Sequence, residues 1–137
     1  MSAIVVDTSV AAAWFIEEVG SPSAARLRDE PGGLLAPSYL LAELSSALLK
    51  ATRRGLVPQG HALRALGLLR RTAPIAFVDT PMLIERATTI AEQISHPVHE
   101  CLYLALAQRE GSILASFDRR MAGLARRLAI RLWDPAA

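Results

Sequence analysis

Four acidic side chains, Asp7, Glu43, Glu100 and Asp118, occupy positions where a carboxylate can do chemistry. Asp7 follows directly on the β-branched run Ile4-Val5-Val6, and Asp118 closes Ser116-Phe117-Asp118 after an apolar run ending at Ala115. Glu43 shares a helical face with Leu40, Leu44 and Ala47, while Ser46, Lys50, Arg53 and Arg54 make the solvated face. Glu100 opens the stretch Cys101 to Ala107, apolar nearly all round as an interior helix is. Each acid has an ordinary alternative. Asp7 and Asp118 are of the residue type that caps helices, and Glu43 can pair with a buried arginine. Glu100 suits the first turn of a helix dipole, although that effect is worth only about 0.3–1 kcal/mol. Ser9 is present to cap the helix after Asp7, which leaves that carboxylate free. Carboxylates that converge in one cleft repel each other and raise each other's pKa. The usual remedy is a divalent cation, and an all-oxygen donor set favours Mg²⁺ or Mn²⁺ over zinc.

The elements that must position these acids alternate between short β-type runs and longer helical ones. Strands are expected at Ile4–Val6, Leu34–Ala36, Ile75–Val78, Ser112–Ala115 and Ile130–Trp133. Helices are expected from Thr8 or Ser9 to Glu17 or Glu18, from Ser21 to about Asp29, and from Pro37-Ser38 to Arg54. Further helices run from Pro58 to Arg71, from Thr80-Pro81 to Ile94, from about His99 to Glu110, and from Asp118 to Leu128. Short apolar strands separated by helices imply right-handed crossovers and a buried parallel sheet, in a three-layer α/β/α sandwich. In such folds the site lies beyond the carboxyl ends of the strands, where the winding direction reverses. Asp7 and Asp118 are placed there.

The composition narrows the function classes. The chain has 137 residues, 52% hydrophobic and 20% charged, which fits one domain over residues 1–137 and excludes a disordered chain. Its formal charge is only +2, too small to drive polyanion binding by net charge, although the pI is 9.2. The single cysteine, Cys101, excludes an internal disulfide and fits a reducing compartment. The longest apolar runs fall far short of the roughly 20 residues of a spanning helix. Asp7 interrupts the N-terminal apolar run too early for a signal peptide, so the chain reads as soluble and cytoplasmic. Its high apolar fraction suits an oligomer or a bound partner.

The ordered set of motifs resembles a PIN-domain ribonuclease, and more closely the VapC-type toxins of toxin–antitoxin pairs. The residues that carry the resemblance are Asp7-Thr8-Ser9, Glu43 within Pro37 to Glu43, the segment His96 to Ala107, and Ser116-Phe117-Asp118-Arg119-Arg120. Any one of these is weak, but together they span the chain. The resemblance implies a parallel sheet ordered 3-2-1-4-5 and an acidic cluster that binds Mg²⁺ or Mn²⁺ and cleaves single-stranded RNA. It implies that Asp7, Glu100 and Asp118 hold metal directly or through water, and that Glu43 orients a ligand water. It also implies a homodimer neutralised by a small VapB-like antitoxin. Glu100 stands where the family usually has Asp, and its extra methylene moves the carboxylate out by roughly 1.5 Å, one C–C bond.

Among the paired arginines, Arg119 and Arg120 follow Asp118 at the carboxyl edge and are the best candidates for RNA phosphates. The Ser9 and Ser116 hydroxyls either contact phosphate or serve a local cap or turn. His96, His99 and Cys101 match no closed zinc site. A receiver-type phosphoacceptor domain fits less well, since Asp7 stands alone and the only lysine, Lys50, is mid-helix. A Walker or dinucleotide-binding module lacks its glycine motif. The competing reading is a PIN-like domain that binds RNA or a partner, with weak catalysis or none, because of Glu100.

Overall fold

In the computed structural model, which describes residues 2–72 and 75–136, four short strands form one parallel sheet. They are β1 (Ile4–Val6), β2 (Leu34–Pro37), β3 (Ile75–Val78) and β4 (Leu114–Ala115), in the spatial order β3-β2-β1-β4. The register pairs Ile4 with Leu34, Leu34 with Ile75, and Val5 with Leu114. The fifth expected strand shortens to a single parallel bridge between Leu114 and Leu132 on the free side of β4. Leu114 donates to the Arg131 carbonyl at 2.9 Å, and Trp133 donates to that of Leu114 at 2.9 Å. Only one residue therefore meets the ladder, because β4 itself is two residues long.

The helices are α1 (Thr8–Ala12), α2 (Ser21–Leu27), α3 (Leu40–Arg53), α4 (His61–Thr72), α5 (Ile84–Ile94), α6 (Val98–Glu110) and α7 (Arg119–Arg127). Right-handed crossovers from β1 to β2 to β3 put α1–α4 on one face, and the return from β3 to β4 puts α5 and α6 on the other. The packing agrees: α1 meets α2 and α3, α3 meets α4, and α6 covers β1, β2 and β4. Cys101–Ala107 of α6 is buried on every side, as its all-round apolarity requires, and Gly111 ends the helix at φ +63°.

Several helix boundaries differ from the sequence expectation: α2 ends at Leu27, α3 begins at Leu40 after Pro37-Ser38, and Thr80–Met82 forms a separate 3₁₀ turn before α5 begins at Ile84. The first helix stops at Ala12 although the apolar run continues to Ile16. Trp14 leaves the helix and donates its indole N–H to the Ala24 carbonyl at 2.7 Å, a tertiary bond that periodicity does not reveal. The helix expected from Pro58 begins at His61, where the His61 ring bonds the Phe15 carbonyl at 2.7 Å.

Candidate active site

The sheet reverses its winding between β1 and β4, so the chain leaves these two neighbours toward opposite sides and opens a crevice at their carboxyl ends. Asp7 stands at the end of β1 and Asp118 in the loop after β4. Glu43 lies in the first turn of α3, and Glu100 in the first turn of α6. The start of α3 is fixed by a hydroxyl pair at the tops of β2 and β3. Thr80 Oγ1 accepts from the Tyr39 amide at 2.9 Å, and Ser38 Oγ accepts from the Thr80 amide at 3.0 Å. All four acids line one open cleft of about 100 Å³, together with Thr8, Ser9, Tyr103 and Met121.

Asp7 is 4% exposed and sits among neutral donors alone. Its Oδ1 accepts from the Ser9 amide at 3.0 Å, the Ser9 hydroxyl at 2.6 Å and the Val10 amide at 3.3 Å. Its Oδ2 accepts from the Ser116 hydroxyl. Burial pushes this carboxyl up to about 6, while the bonds from Ser116, Ser9 and the backbone pull it down. The cap of α1 is thus Asp7, where the sequence had assigned that task to Ser9 and left Asp7 free. Ser9 does something else. Its hydroxyl donates to Asp7 and accepts from the Phe117 amide at 2.9 Å. Ser116 matches it, donating to Asp7 and accepting from the Asp118 amide at 3.0 Å. One carboxylate and two hydroxyls therefore lock the β1 and β4 loops together.

Asp118 caps α7, its Oδ1 accepting from the Arg120 amide at 2.9 Å. On Glu43, Oε1 takes both protein donors: the Thr8 hydroxyl at 2.9 Å and the Tyr103 phenol. Burial, and then the Glu43 charge, push the Tyr103 phenol well above its ordinary range, so it stays a neutral donor. No buried arginine neutralises Glu43 among the described residues, which removes its ordinary alternative.

Glu100 is placed differently. One of its oxygens is bound by the His96 ring, and the other accepts from Arg120 at 3.2 Å. Arg120, expected to reach for phosphate, thus has a protein partner, while Arg119 is exposed. Among the described residues, no three acidic, histidine or cysteine side chains stand close enough as placed to hold one ion.

The donor chemistry nonetheless fits a hard cation. Asp7 is a buried carboxylate answered only by neutral groups, and Glu43 and Asp118 each keep an oxygen with no protein donor among the described residues. Tyr103 and Thr8 are the partners that sequence reading passed over. Tyr103 was legible in principle, as a phenol three residues after Glu100 on a buried helix, where its hydroxyl must find a partner. His96 precedes Glu100 by one helical turn, but the intervening Pro97 hides that spacing.

A family model described as PIN domain matches residues 4–127. No curated protein matches the sequence. Solved structures with the same fold include Mycobacterium tuberculosis VapC20, described as a sarcin-ricin loop cleaving toxin. It is 20% identical with a TM-score of 0.70, over 88% of this chain and 94% of that one. PAE2754 from Pyrobaculum aerophilum is 19% identical with a TM-score of 0.66, over 93% and 90% of the two chains. FitAcB from Neisseria gonorrhoeae is 14% identical with a TM-score of 0.64, over 97% and 98%. At these identities the structures speak to the fold, and the family match speaks to descent. Matched from its first strand to its last helix, the chain belongs to the PIN-domain family.

Proposed function

We propose that this PIN domain is a metal-dependent endoribonuclease that cleaves single-stranded RNA and acts as the toxin of a toxin–antitoxin pair. The observation that carries this reading is the meeting of Asp7, Glu43, Glu100 and Asp118, from four separate segments, in one cleft at the switch point. Asp7, Asp118 and Glu100 would hold Mg²⁺ or Mn²⁺. When bound, such an ion neutralises phosphate charge and makes water a stronger acid. The chain's own residues do the rest. The Ser9 and Ser116 hydroxyls fix the Asp7 carboxylate. Thr8 and Tyr103 hold Oε1 of Glu43, so that Oε2 is the atom left to orient a water or take its proton. Arg119 and Arg120, which follow Asp118 at the start of α7, would meet the RNA phosphates.

The same reading makes the protein a cytoplasmic homodimer neutralised by a VapB-like antitoxin. Leu49, Leu56 and Leu63 are exposed on and beside α3 and α4, apolar surface that suits a protein partner. No described helix is long and apolar enough to cross a membrane. A second reading, a domain that binds RNA or a partner without cutting, is favoured by one observation: both oxygens of Glu100 are engaged by protein.

Two experiments separate the readings. Purified protein incubated with single-stranded RNA and Mn²⁺ should cleave it, and EDTA should stop the reaction. Induced in cells, the chain should arrest growth, with relief on co-expression of the small reading frame beside it. Folded, soluble protein that neither cuts RNA nor arrests growth would favour the binding module.

A further inference from the structure

The pairing of Glu100 goes beyond the proposed activity and rests on it. In the cleft Asp7, Glu43 and Asp118 meet only neutral donors, whereas Glu100 meets Arg120 through one oxygen and His96 through the other. Arg120 is anchored independently of its guanidinium, since its backbone amide is held by Asp118. Its side chain is 67% exposed, against 19% for Glu100, so the guanidinium can swing into solvent while the carboxylate stays in the cleft. The longer reach of a glutamate suits such a contact, because the extra methylene carries the carboxylate out from α6 to meet Arg120 in the first turn of α7.

We propose that Arg120 competes with the divalent cation for the Glu100 carboxylate, and that cation binding frees its guanidinium to take an RNA phosphate. One side chain then has two partners, an acid before the cation binds and a phosphate after. The competition makes cation binding weaker than the four acids alone would give. It also couples the cation to the substrate, since each takes one half of the Arg120–Glu100 pair.

The test is Mn²⁺ binding without RNA, followed by calorimetry. Arg120→Ala should bind Mn²⁺ about two- to fivefold more tightly than wild type, the scale of a largely exposed ion pair. Arg119→Ala removes the same charge next door without the contact, and should change affinity less. In a Glu100→Gln background, Arg120→Ala should have no further effect, because the competition acts through that carboxylate. Equal tightening by Arg119→Ala and Arg120→Ala, or tightening that survives Glu100→Gln, would reduce Arg120 to general electrostatics and overturn the proposal. Mn²⁺ binding unchanged in Arg120→Ala overturns it while leaving the nuclease reading in place. Failure of every variant and of wild type to bind Mn²⁺ overturns both. Binding of a single-stranded RNA oligonucleotide with non-hydrolysable linkages, in the presence of Mn²⁺, to wild type and to Arg120→Ala gives the phosphate half. Loss of Arg120 should weaken it and flatten its salt dependence, and equal binding by the two would overturn that half.

Discussion

The phenol of Tyr103 on α6 donates to Oε1 of Glu43 on α3, joining helices from opposite faces of the sheet above the end of β1. Thr8 Oγ1 lies 3.0 Å from the same phenol and donates to the same carboxylate oxygen. A polar knot of three side chains thus lines the cleft at the edge of the apolar core. Tyr103→Phe should cost about 0.5–1.5 kcal/mol in urea unfolding, the usual worth of one hydrogen bond. Cleavage should fall more than stability implies, through kcat rather than KM, because Glu43 loses one of the two donors that fix it. A variant with unchanged kcat would show that the knot serves the fold alone.

Asp7 gives the site a pH signature. Its folded carboxyl titrates at about 6 against an ordinary 3.8, because burial outweighs the hydrogen bonds it receives. The folded protein therefore binds this proton more tightly than the unfolded chain does. The stability so gained is fully present below pH 3.8 and is lost as pH rises through about 6. Asp7→Asn removes the effect while keeping an oxygen to cap α1. Urea unfolding at about pH 4.5 and about pH 7.5 should show wild type losing stability relative to Asp7→Asn between the two. Parallel behaviour would mean that Asp7 is not desolvated as placed. The same variant should abolish RNA cleavage, and Mn²⁺ binding by wild type should tighten as pH rises through about 6, since the cation takes the ionised carboxylate.

Gly20 lies against the loop that carries Asp118. A Cβ there would meet Phe117 Cζ at 2.8 Å, and the Phe117 ring packs edge-on to Trp133 at 5.8 Å between centroids. Its backbone is ordinary, at φ −78°, so contact with the ring is what restricts the position. Gly20→Ala should displace Phe117 and cost about 1–3 kcal/mol, as overpacking does. RNA cleavage should drop with it, since the Phe117 amide donates to Ser9 beside Asp7. Full activity in a destabilised variant would show that the ring moves without the loop.

The site was legible in the sequence wherever a local pattern decides position. Ile75–Val78 is a strand because four apolar residues follow one another, and Cys101–Ala107 is interior because no polar residue interrupts it. Asp7 and Asp118 stand just past strands, where a parallel sheet puts its crevice. What stayed hidden depends on contacts between distant segments. Asp7 and Ser9 are equally good cap types, and only the approach of Ser116 and Phe117 commits Ser9 to bridging the loops. Glu100 looked like an uncommitted acid, because neither Arg120 nor the far side of Pro97 lies on its own helical face. The last strand fades because its neighbour β4 offers two residues to pair with, a limit set by the sheet and not by the composition of Ile130–Trp133.

The most direct measurement is the anomalous scattering of Mn²⁺ in crystals of the wild-type protein. The account expects a peak in the cleft within coordination distance of Asp7 and Asp118, with Glu100 turned away from Arg120 toward the ion, and no peak in Asp7→Asn. Mn²⁺ bound only elsewhere, with the four carboxylates still held by their present partners, would contradict it.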